Sequence, residues 1–383
     1  MFKRFSGAAQ AKEVLLAHCS PIMRTCGIAS SDAAGRAVSQ DIISPVSLPG
    51  FDRAAMDGYA VKSADTRGAR PSAPVFLEQF LPVRTGMEVP ANYDAVVMLE
   101  DARLRADALE ITAEVHAYRN VSRVGEDITS GEAVFREGHV LRPPDIALLS
   151  ALGIGEVQVY ERPRVVIIPT GGELVPIGER PLKTGEAYEI NGLMAGLYVE
   201  KWGCDARKLE IVSDDSEMIR EAIAANLDAD MIVIIGGTSV GEKDYAPRVL
   251  METGELFVHG IRLQPGKPTA FGAVRGTTVV CLPGYPVAAL AVLYQFVRPA
   301  LKKMAHLSDF LPQIPVRLAR KIPSRPGYLS MVRVALKNGE AEPIMVSGAG
   351  ILSSVARADG FVIVPEELEG FEEGETVTVF LFE

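Results

Sequence analysis

The stretch "DMIVIIGGTSVGEKDYAP", residues 230–247, joins an unbroken apolar run to a turn crowded with glycine and charge. The run Met231–Ile235 shows no apolar–polar alternation, so both faces of this strand are expected to be buried. That is the pattern of a parallel sheet covered by helices on both sides. Gly236 and Gly237 follow at once, and Thr238, Ser239, Glu242, Lys243 and Asp244 come within the next seven positions. A turn that only connects is shorter and plainer. Glycine lets backbone N–H groups approach an anion closely, and a helix N-terminus adds positive potential.

The same design extends outward from this stretch. "RVVIIPTGGEL" (164–174) is a second β-branched run ending on paired glycines. In "EINGLMAGLYVEKWG" (189–203), Ile190, Leu193, Met194 and Leu197 recur at helical spacing and predict a helix buried on that face. "RKLEIVSDD" (207–215) reads as a strand. In "DDSEMIREAIAAN" (214–226), Asp214 and Glu217 resemble a capping pair, with Met218, Ile219, Ala222 and Ile223 as the buried stripe. A helix over about 245–252, strands near 255–262 and 278–282, and a long helix over about 287–304 complete the alternation. Residues 163–306 are therefore expected to form a doubly wound, three-layer α/β/α domain.

The flanks differ in character. Residues 46–128 hold short strand signals broken by Pro, Gly and Asn, and read as a small β domain. Residues 1–45 open with a helical pattern in which Val14, Leu15 and His18 share a face. Residues 129–162 contain a second helix near "PPDIALLSAL" and are expected to pack beside 1–45, making 46–128 an insertion. From 307 to 383 helices fade and short alternating strands predict a C-terminal β domain, barrel-like once closed. The whole is a multidomain α/β plus β chain.

Composition narrows the function. The net charge of −10 argues against nucleic-acid binding, which needs a basic face. Four scattered cysteines and five histidines form no C-x-x-C, no H-E-x-x-H and no cluster, so a Cys/His zinc site is not expected. The longest apolar run, "VAALAVLY" (287–294), is far short of a membrane span, and the N-terminus lacks the apolar core of a signal peptide. A cytoplasmic protein is the simplest expectation.

In a doubly wound sheet, ligands sit beyond the carboxyl ends of the strands. "PTGGEL", "VSDD", "GGTSVGEKD" and "LPGYP" occupy such ends, and "QPGKP" (264–268) lies between predicted strands. Ser239 offers a hydroxyl and Lys267 a point charge. Glu173, Asp214 and Asp244 are oxygen acceptors that suit a hard cation such as Mg²⁺. Each loop alone is also ordinary turn chemistry, and Asp214 alone can be an N-cap. Several of them in one domain read as phosphate plus metal.

The motifs "PGFDRAAMDGYAV" (49–61), "RTG" (84–86), "VPANYDAVVMLED" (89–101), "GED" (125–127), "PTGGEL", "GGTSVGEKDY", "PGKP" and "LPGYPVAAL" occur in this order. Together they make the chain similar to the molybdopterin molybdenumtransferase family, the MoeA type shared by the E domain of gephyrin and plant homologues. The resemblance spans nearly the whole chain. It implies an elongated four-part subunit, a homodimer, and insertion of molybdate into adenylylated molybdopterin with Mg²⁺-dependent release of AMP. Transient contact with the adenylyltransferase and with acceptor molybdoenzymes is implied too.

Carried over by motif, Asp57, Thr85, Asp127, Asp214 and Asp244 would be catalytic. Arg123, Glu173, Gly236, Gly237, Ser239, Lys267, Pro268, Pro283 and Gly284 would bind the pterin substrate. Asp244 and Asp214 would hold magnesium, and Lys267, Arg333 and Ser239 molybdate. The chain departs from the family pattern at Gln264 where lysine is common, at Ala349 where serine is common, at Tyr285 in "LPGYP", and in a short inserted domain. Those departures bear on molybdate against tungstate. A molybdopterin adenylyltransferase and a non-catalytic carrier or scaffold are the other functional classes that this pattern admits.

Overall fold

The structure is a computed structural model describing residues 5–237, 245–344 and 350–383. The chain forms two compact units, Met1–Arg24 with Tyr160–Glu383, and Thr25–Val159.

In the second unit the segments on either side of 46–128 fold together. Strand Ile42–Ile43 pairs antiparallel with Ala133–Phe135, and Val38 bridges Val159. Val38, Leu141, Leu149 and Val159 fill a small core. Between them lie two three-stranded antiparallel sheets. Gly58–Val61 is flanked by Leu81–Val83 and Ala95–Met98, and Ala108–Ile111 by Val75–Leu77 and Ala102–Arg105.

The first unit starts with α1 (Ala8–His18), which buries Ala8, Ala11 and Leu15. His18, read as sharing a face with Val14 and Leu15, is exposed and stacks on Phe257 at 3.8 Å. The first helix thus packs with residues 160–383 rather than with the segment that follows it.

A six-stranded sheet dominates this unit: β1 (Arg164–Pro169), β2 (Asp205–Lys208), β3 (Met231–Ile235), β4 (Glu255–His259), β5 (Ala270–Val274) and β6 (Thr277–Leu282), in spatial order β2-β1-β3-β6-β5-β4. The first four in that order are parallel; β5 runs antiparallel to β6, and β4 antiparallel to β5. The antiparallel edge was not expected. Its hairpin turn, Arg275–Gly276, has φ +50° and +90°, the left-handed pair that matches strand twist. All five residues of β3 are buried, as its continuous apolar run predicts. Met231, Val233 and Ile235 pack toward α1, α2 (Asn191–Lys201) and the helix that follows β6, whereas Ile232 and Ile234 meet α3 (Ser216–Ala224) and α4 (Tyr245–Thr253). The long C-terminal helix runs as α5 (Pro286–Val292), one π-type turn (Leu293–Val297) and α6 (Arg298–Met304).

Two helices present faces other than expected. On α2 the buried residues are Gly192, Ala195 and Val199, while Leu193 and Leu197 are exposed. Small residues let the helix lie close to the sheet: a Cβ on Gly196 would sit 3.7 Å from Ile167 Cδ1. On α3 the N-cap is Asp215, not Asp214; its carboxylate accepts from Glu217 N at 2.8 Å and Met218 N at 3.2 Å. Met218 is exposed, and Ile219 and Ile223 meet the sheet. Asp214 is thereby left free of a capping role.

The C-terminal strands β7 (Gln313–Leu318), β8 (Leu329–Lys337), β9 (Glu340–Pro343), β10 (Gly360–Val364) and β11 (Thr376–Leu381) run in order β8-β9-β7-β11-β10 and close by β10 pairing with β8. The closed ring gives the expected barrel-like domain. Strand Leu263–Gln264 joins β8 in parallel, with Gln264 opposite Ser330.

Ile234 is fully buried at the centre of the sheet. Ile234→Ala should cost about 2–5 kcal/mol. Denaturation followed by Trp202, the one tryptophan of the chain and itself fully buried, measures it; a cost below about 1 kcal/mol would contradict the assigned packing.

Candidate functional site

Parallel pairing brings three strand ends level: Pro169 of β1 is opposite Ile235 of β3, and Ile235 is opposite Leu282 of β6. The chain leaves all three strands on the same edge of the sheet. Thr170 N donates to Ile235 O at 2.8 Å, and Gly236 N to Leu282 O at 3.1 Å, so the ladder runs one residue past the strands into the loops. Gly236 has φ +98° and Gly237 φ +60°. A Cβ on Gly236 would lie 2.3 Å from the Thr170 carbonyl oxygen, and one on Gly284 3.7 Å from Gly236 Cα. The loops can meet this closely because glycine stands at both crossings.

Above this junction lies a cleft of about 760 Å³. It gathers Glu173, Asp214, Gly236, Gly237, Pro283 and Gly284 from four separate loops, with Pro268 from a fifth. Seven of the residues singled out in the sequence thus share one wall. Asp214, released from capping, has its Oδ1 buried with no hydrogen-bond partner among the described residues. Glu173 is exposed. Ser239 and Asp244 lie outside the described residues, as do Ser347 and Ala349.

Other singled-out residues stand elsewhere. Lys267 is half-buried with its ammonium 4.5 Å from the Phe5 ring centre, and is not among the residues lining the cleft. Gln264 is exposed in its short strand. Arg333 is buried on β8 opposite Phe361, and that burial lowers its pKa. Neither lines the cleft.

In the unit Thr25–Val159, Asp57 and Thr85 are brought together although 28 positions separate them. Asp57 Oδ1 accepts from Thr85 N at 2.7 Å and from Thr85 Oγ1 at 2.9 Å. These two bonds, the backbone one first, hold the exposed Asp57 carboxyl below its ordinary pKa, with a smaller contribution from Arg84. The group is a fixed anion at neutral pH. Arg123 lies over the Tyr118 ring at 4.2 Å, its backbone N–H on Glu126. Asp127 is exposed and its N–H bonds Leu48 O.

Among the lining residues that escaped the sequence reading are Glu189, Asn191 and, as more than a variant of its motif, Tyr285. Glu189 is only 4% exposed; its Oε1 accepts from Gly192 N at 2.5 Å, and its Oε2 lies 3.4 Å from Lys208 Nζ. Asn191 Nδ2 donates to Gly284 O at 2.7 Å. Polar residues flanking Ile190 just ahead of an apolar run were the available signal. Helical periodicity absorbed Ile190 into a stripe and passed over its neighbours. Among the described lining residues there are three carboxylates and no lysine or arginine.

The chain is similar in sequence and fold to known proteins. Three family descriptions match in order: the MoeA N-terminal region (domain I and II) over residues 7–153, a probable molybdopterin binding domain over 166–303, and the MoeA C-terminal region (domain IV) over 315–382. A putative molybdopterin biosynthesis protein of Methanocaldococcus jannaschii is 36% identical over 91% of this chain and 90% of its own. A molybdopterin molybdenumtransferase of Haemophilus influenzae is 33% identical over 91% of each. The crystal structure of the molybdopterin biosynthesis moeA protein from Pyrococcus horikoshii OT3 matches with a TM-score of 0.85 at 31% identity, covering 99% of this chain and 100% of that one.

Two glycine substitutions separate strain from close approach. Gly276 has φ +90° and a Cβ added there would meet nothing within 4 Å, whereas Gly236 has φ +98° and the Thr170 carbonyl at 2.3 Å. Gly276→Ala should cost about 1 kcal/mol through backbone strain alone, and Gly236→Ala clearly more. Equal costs in chemical denaturation would remove the close-approach argument.

Proposed function

The chain belongs to the MoeA-type molybdopterin molybdenumtransferase family and acts in molybdenum cofactor biosynthesis, and from that premise we propose how its residues divide the work of inserting molybdenum and releasing AMP. The observation that carries the reading is the cleft itself, in which seven residues of five sequence-remote loops converge beyond the strand ends. The sheet and its two helical faces would be the three-layer molybdopterin-binding domain, running over 163–306. Met1–Arg24 groups with Tyr160–Glu383, so of the expected segment 1–45 with 129–162 only the part from Thr25 to Val159 would frame the insertion 46–128, and the β domain 307–383 would complete the subunit. The gaps between the family matches, 153 to 166 and 303 to 315, support the boundaries near 163 and 307.

Adenylylated molybdopterin carries a phosphate-to-phosphate link. The backbone at Gly236–Gly237, without side chains, lets that link come close to main-chain N–H groups. Described lining residues bring no ammonium or guanidinium, so charge on the link calls for a cation. Asp214, with an unpartnered buried Oδ1, and Glu173 offer the carboxylate oxygens that a hard divalent ion prefers; Asp244 is assigned to the same ion from its motif alone. Magnesium, when bound, supplies charge neutralisation on the phosphates. Asp57 is kept ionised by Thr85 and is assigned to the reaction as a fixed negative group.

Asp57 and Thr85 belong to the unit Thr25–Val159 and are not cleft residues. We assign the working form, as the family resemblance implies, as a homodimer in which this pair acts together with the cleft of the second chain. A cytoplasmic setting is supported by four cysteines that are all free thiols. Burial pushes Cys19 up to about 11 and Cys204 up to about 12, so both thiols stay protonated and inert at neutral pH.

Full-length protein should release AMP from adenylylated molybdopterin only when molybdate and Mg²⁺ are both present. Asp57→Asn and Glu173→Gln should each lower that rate about 10²-fold, the scale for losing one electrostatic group, with melting temperatures unchanged. AMP release independent of molybdate, or none at all, would overturn the reading; a parallel run with tungstate reports metal choice. Mixing inactive Asp57→Ala and Glu173→Ala chains should restore part of the activity after subunit exchange. No recovery, with exchange confirmed by mass, rules out the shared arrangement.

A further inference from the structure

The side-chain amide of Asn191 has a fixed orientation. Its Nδ2 donates to the Gly284 carbonyl at 2.7 Å, so Oδ1 is the atom left over. That oxygen is buried, has no hydrogen-bond partner among the described residues, and belongs to a residue that lines the cleft. A structural tie between the start of α2 and the turn before α5 accounts for Nδ2 but not for Oδ1. Leaving a buried carbonyl oxygen unmatched is costly, and such atoms in native proteins call for an explanation. Two residues earlier, Glu189 repeats the situation. Its Oε1 is used by Gly192 N, while Oε2 has an ion pair with Lys208 at 3.4 Å and no hydrogen bond.

Both leftover atoms are acceptors. A phosphate, itself an acceptor, gains nothing from them; a ring edge rich in N–H groups does. A planar face is available nearby, since Tyr285 lines the same cleft and is 66% exposed. Aromatic rings stack on heterocycles with little regard to their substituents, so Tyr285 would supply affinity and the acceptors selectivity.

We infer that Asn191, backed by Glu189, is the specificity determinant that reads the N–H edge of the substrate's 2-amino-4-oxo pterin ring. Asn191 Oδ1 accepts from one ring or amino N–H, and Glu189 Oε2 from the neighbouring one. The glycine turns at Gly236–Gly237 then face the phosphate end. This inference rests on the proposed pterin-binding function of the cleft and adds to it which end of the substrate lies where.

The test uses full-length protein, with adenylylated molybdopterin as ligand and 6-hydroxymethylpterin and 6-hydroxymethyllumazine as competitors. Lumazine replaces the 2-amino donor by an acceptor oxygen on the same frame. Wild type should prefer the pterin by about ten-fold or more, because a site built to receive a donor rejects an analogue lacking it. Asn191→Leu, similar in volume, should weaken adenylylated molybdopterin roughly ten- to a hundred-fold and flatten the preference, while AMP alone binds as before. Glu189→Gln keeps an oxygen for Gly192 N and turns a donor to the other side, so it should shift the preference toward lumazine. This second variant needs no change of shape and guards against a folding artefact, which Trp202 fluorescence and the melting temperature also report. Retention of the wild-type preference in both variants overturns the inference and leaves the function standing. Failure of wild type to bind adenylylated molybdopterin overturns the function and this inference together.

Discussion

The approach of Gly236 to the Thr170 carbonyl is the constraint from which the rest of the site follows. A Cβ at that position would sit 2.3 Å from the oxygen, closer than any side-chain carbon can come. Only glycine lets the loop after β3 cross the loop after β1 while both remain in register with β6. Held apart by even one methyl group, those strand ends could not continue their ladder through Thr170 N and Gly236 N. The cleft floor would then consist of unpaired backbone. The crossing therefore does two things at once: it satisfies the last main-chain groups of the sheet, and it keeps side chains away from the place where a ligand must lie.

Around that floor the walls are built from rigid parts. Pro169, Pro268, Pro283 and Pro286 all line the cleft, and proline has its φ already fixed. Asn191 ties α2 to the turn before α5 through Gly284 O, and Glu189 caps the same helix through Gly192 N. Gly192 tolerates this because it has no side chain; a Cβ there would meet the Glu189 carboxylate at 3.0 Å. The small residues on the inner face of α2 thus serve packing on the sheet and the cleft at its N-terminal end. Loss of one would be felt in both.

The fold was legible where burial is total. The unbroken runs at 164–169 and 231–235 could only be strands covered on both faces, and both are. Pattern reading failed where a small residue did the packing: it assigned Leu193 and Leu197 to the core of α2, whereas the sheet receives Gly192, Ala195 and Val199. It also took Asp214 for a cap, one residue short of the Asp215 that does the capping. The site was legible as a set of loops, because glycine and proline punctuate it, and the Asp57–Thr85 pair emerged from two motifs that the structure hydrogen-bonds together. Lys267 was read as a cleft cation, yet it faces Phe5; sequence gives the charge of a side chain but not its direction. Glu189 and Asn191 were missed because their role depends on which of their atoms remain unpaired, and that exists only in three dimensions.

The electrostatics of the cleft tie these parts together. An anionic substrate entering a wall of three carboxylates, in a chain of net charge −10, faces repulsion unless each carboxylate has a task. Glu189 is accounted for: it is nearly buried, neutralised by Lys208 and bonded to Gly192 N. Its charge reaches the cleft mainly as an acceptor for N–H groups. Glu173 and Asp214 remain, on loops that flank the glycine floor. Two carboxylates beside a phosphate are unfavourable alone and favourable around a divalent cation, which turns the same charges into ligands. In the proposed reaction the acidic wall would be the reason for cation dependence, and the neutral glycine floor would receive the phosphates through main-chain N–H groups. On the inferred orientation, the ring end and the phosphate end of one substrate would meet opposite chemistries along a single cleft, acceptors at α2 and N–H groups at Gly236.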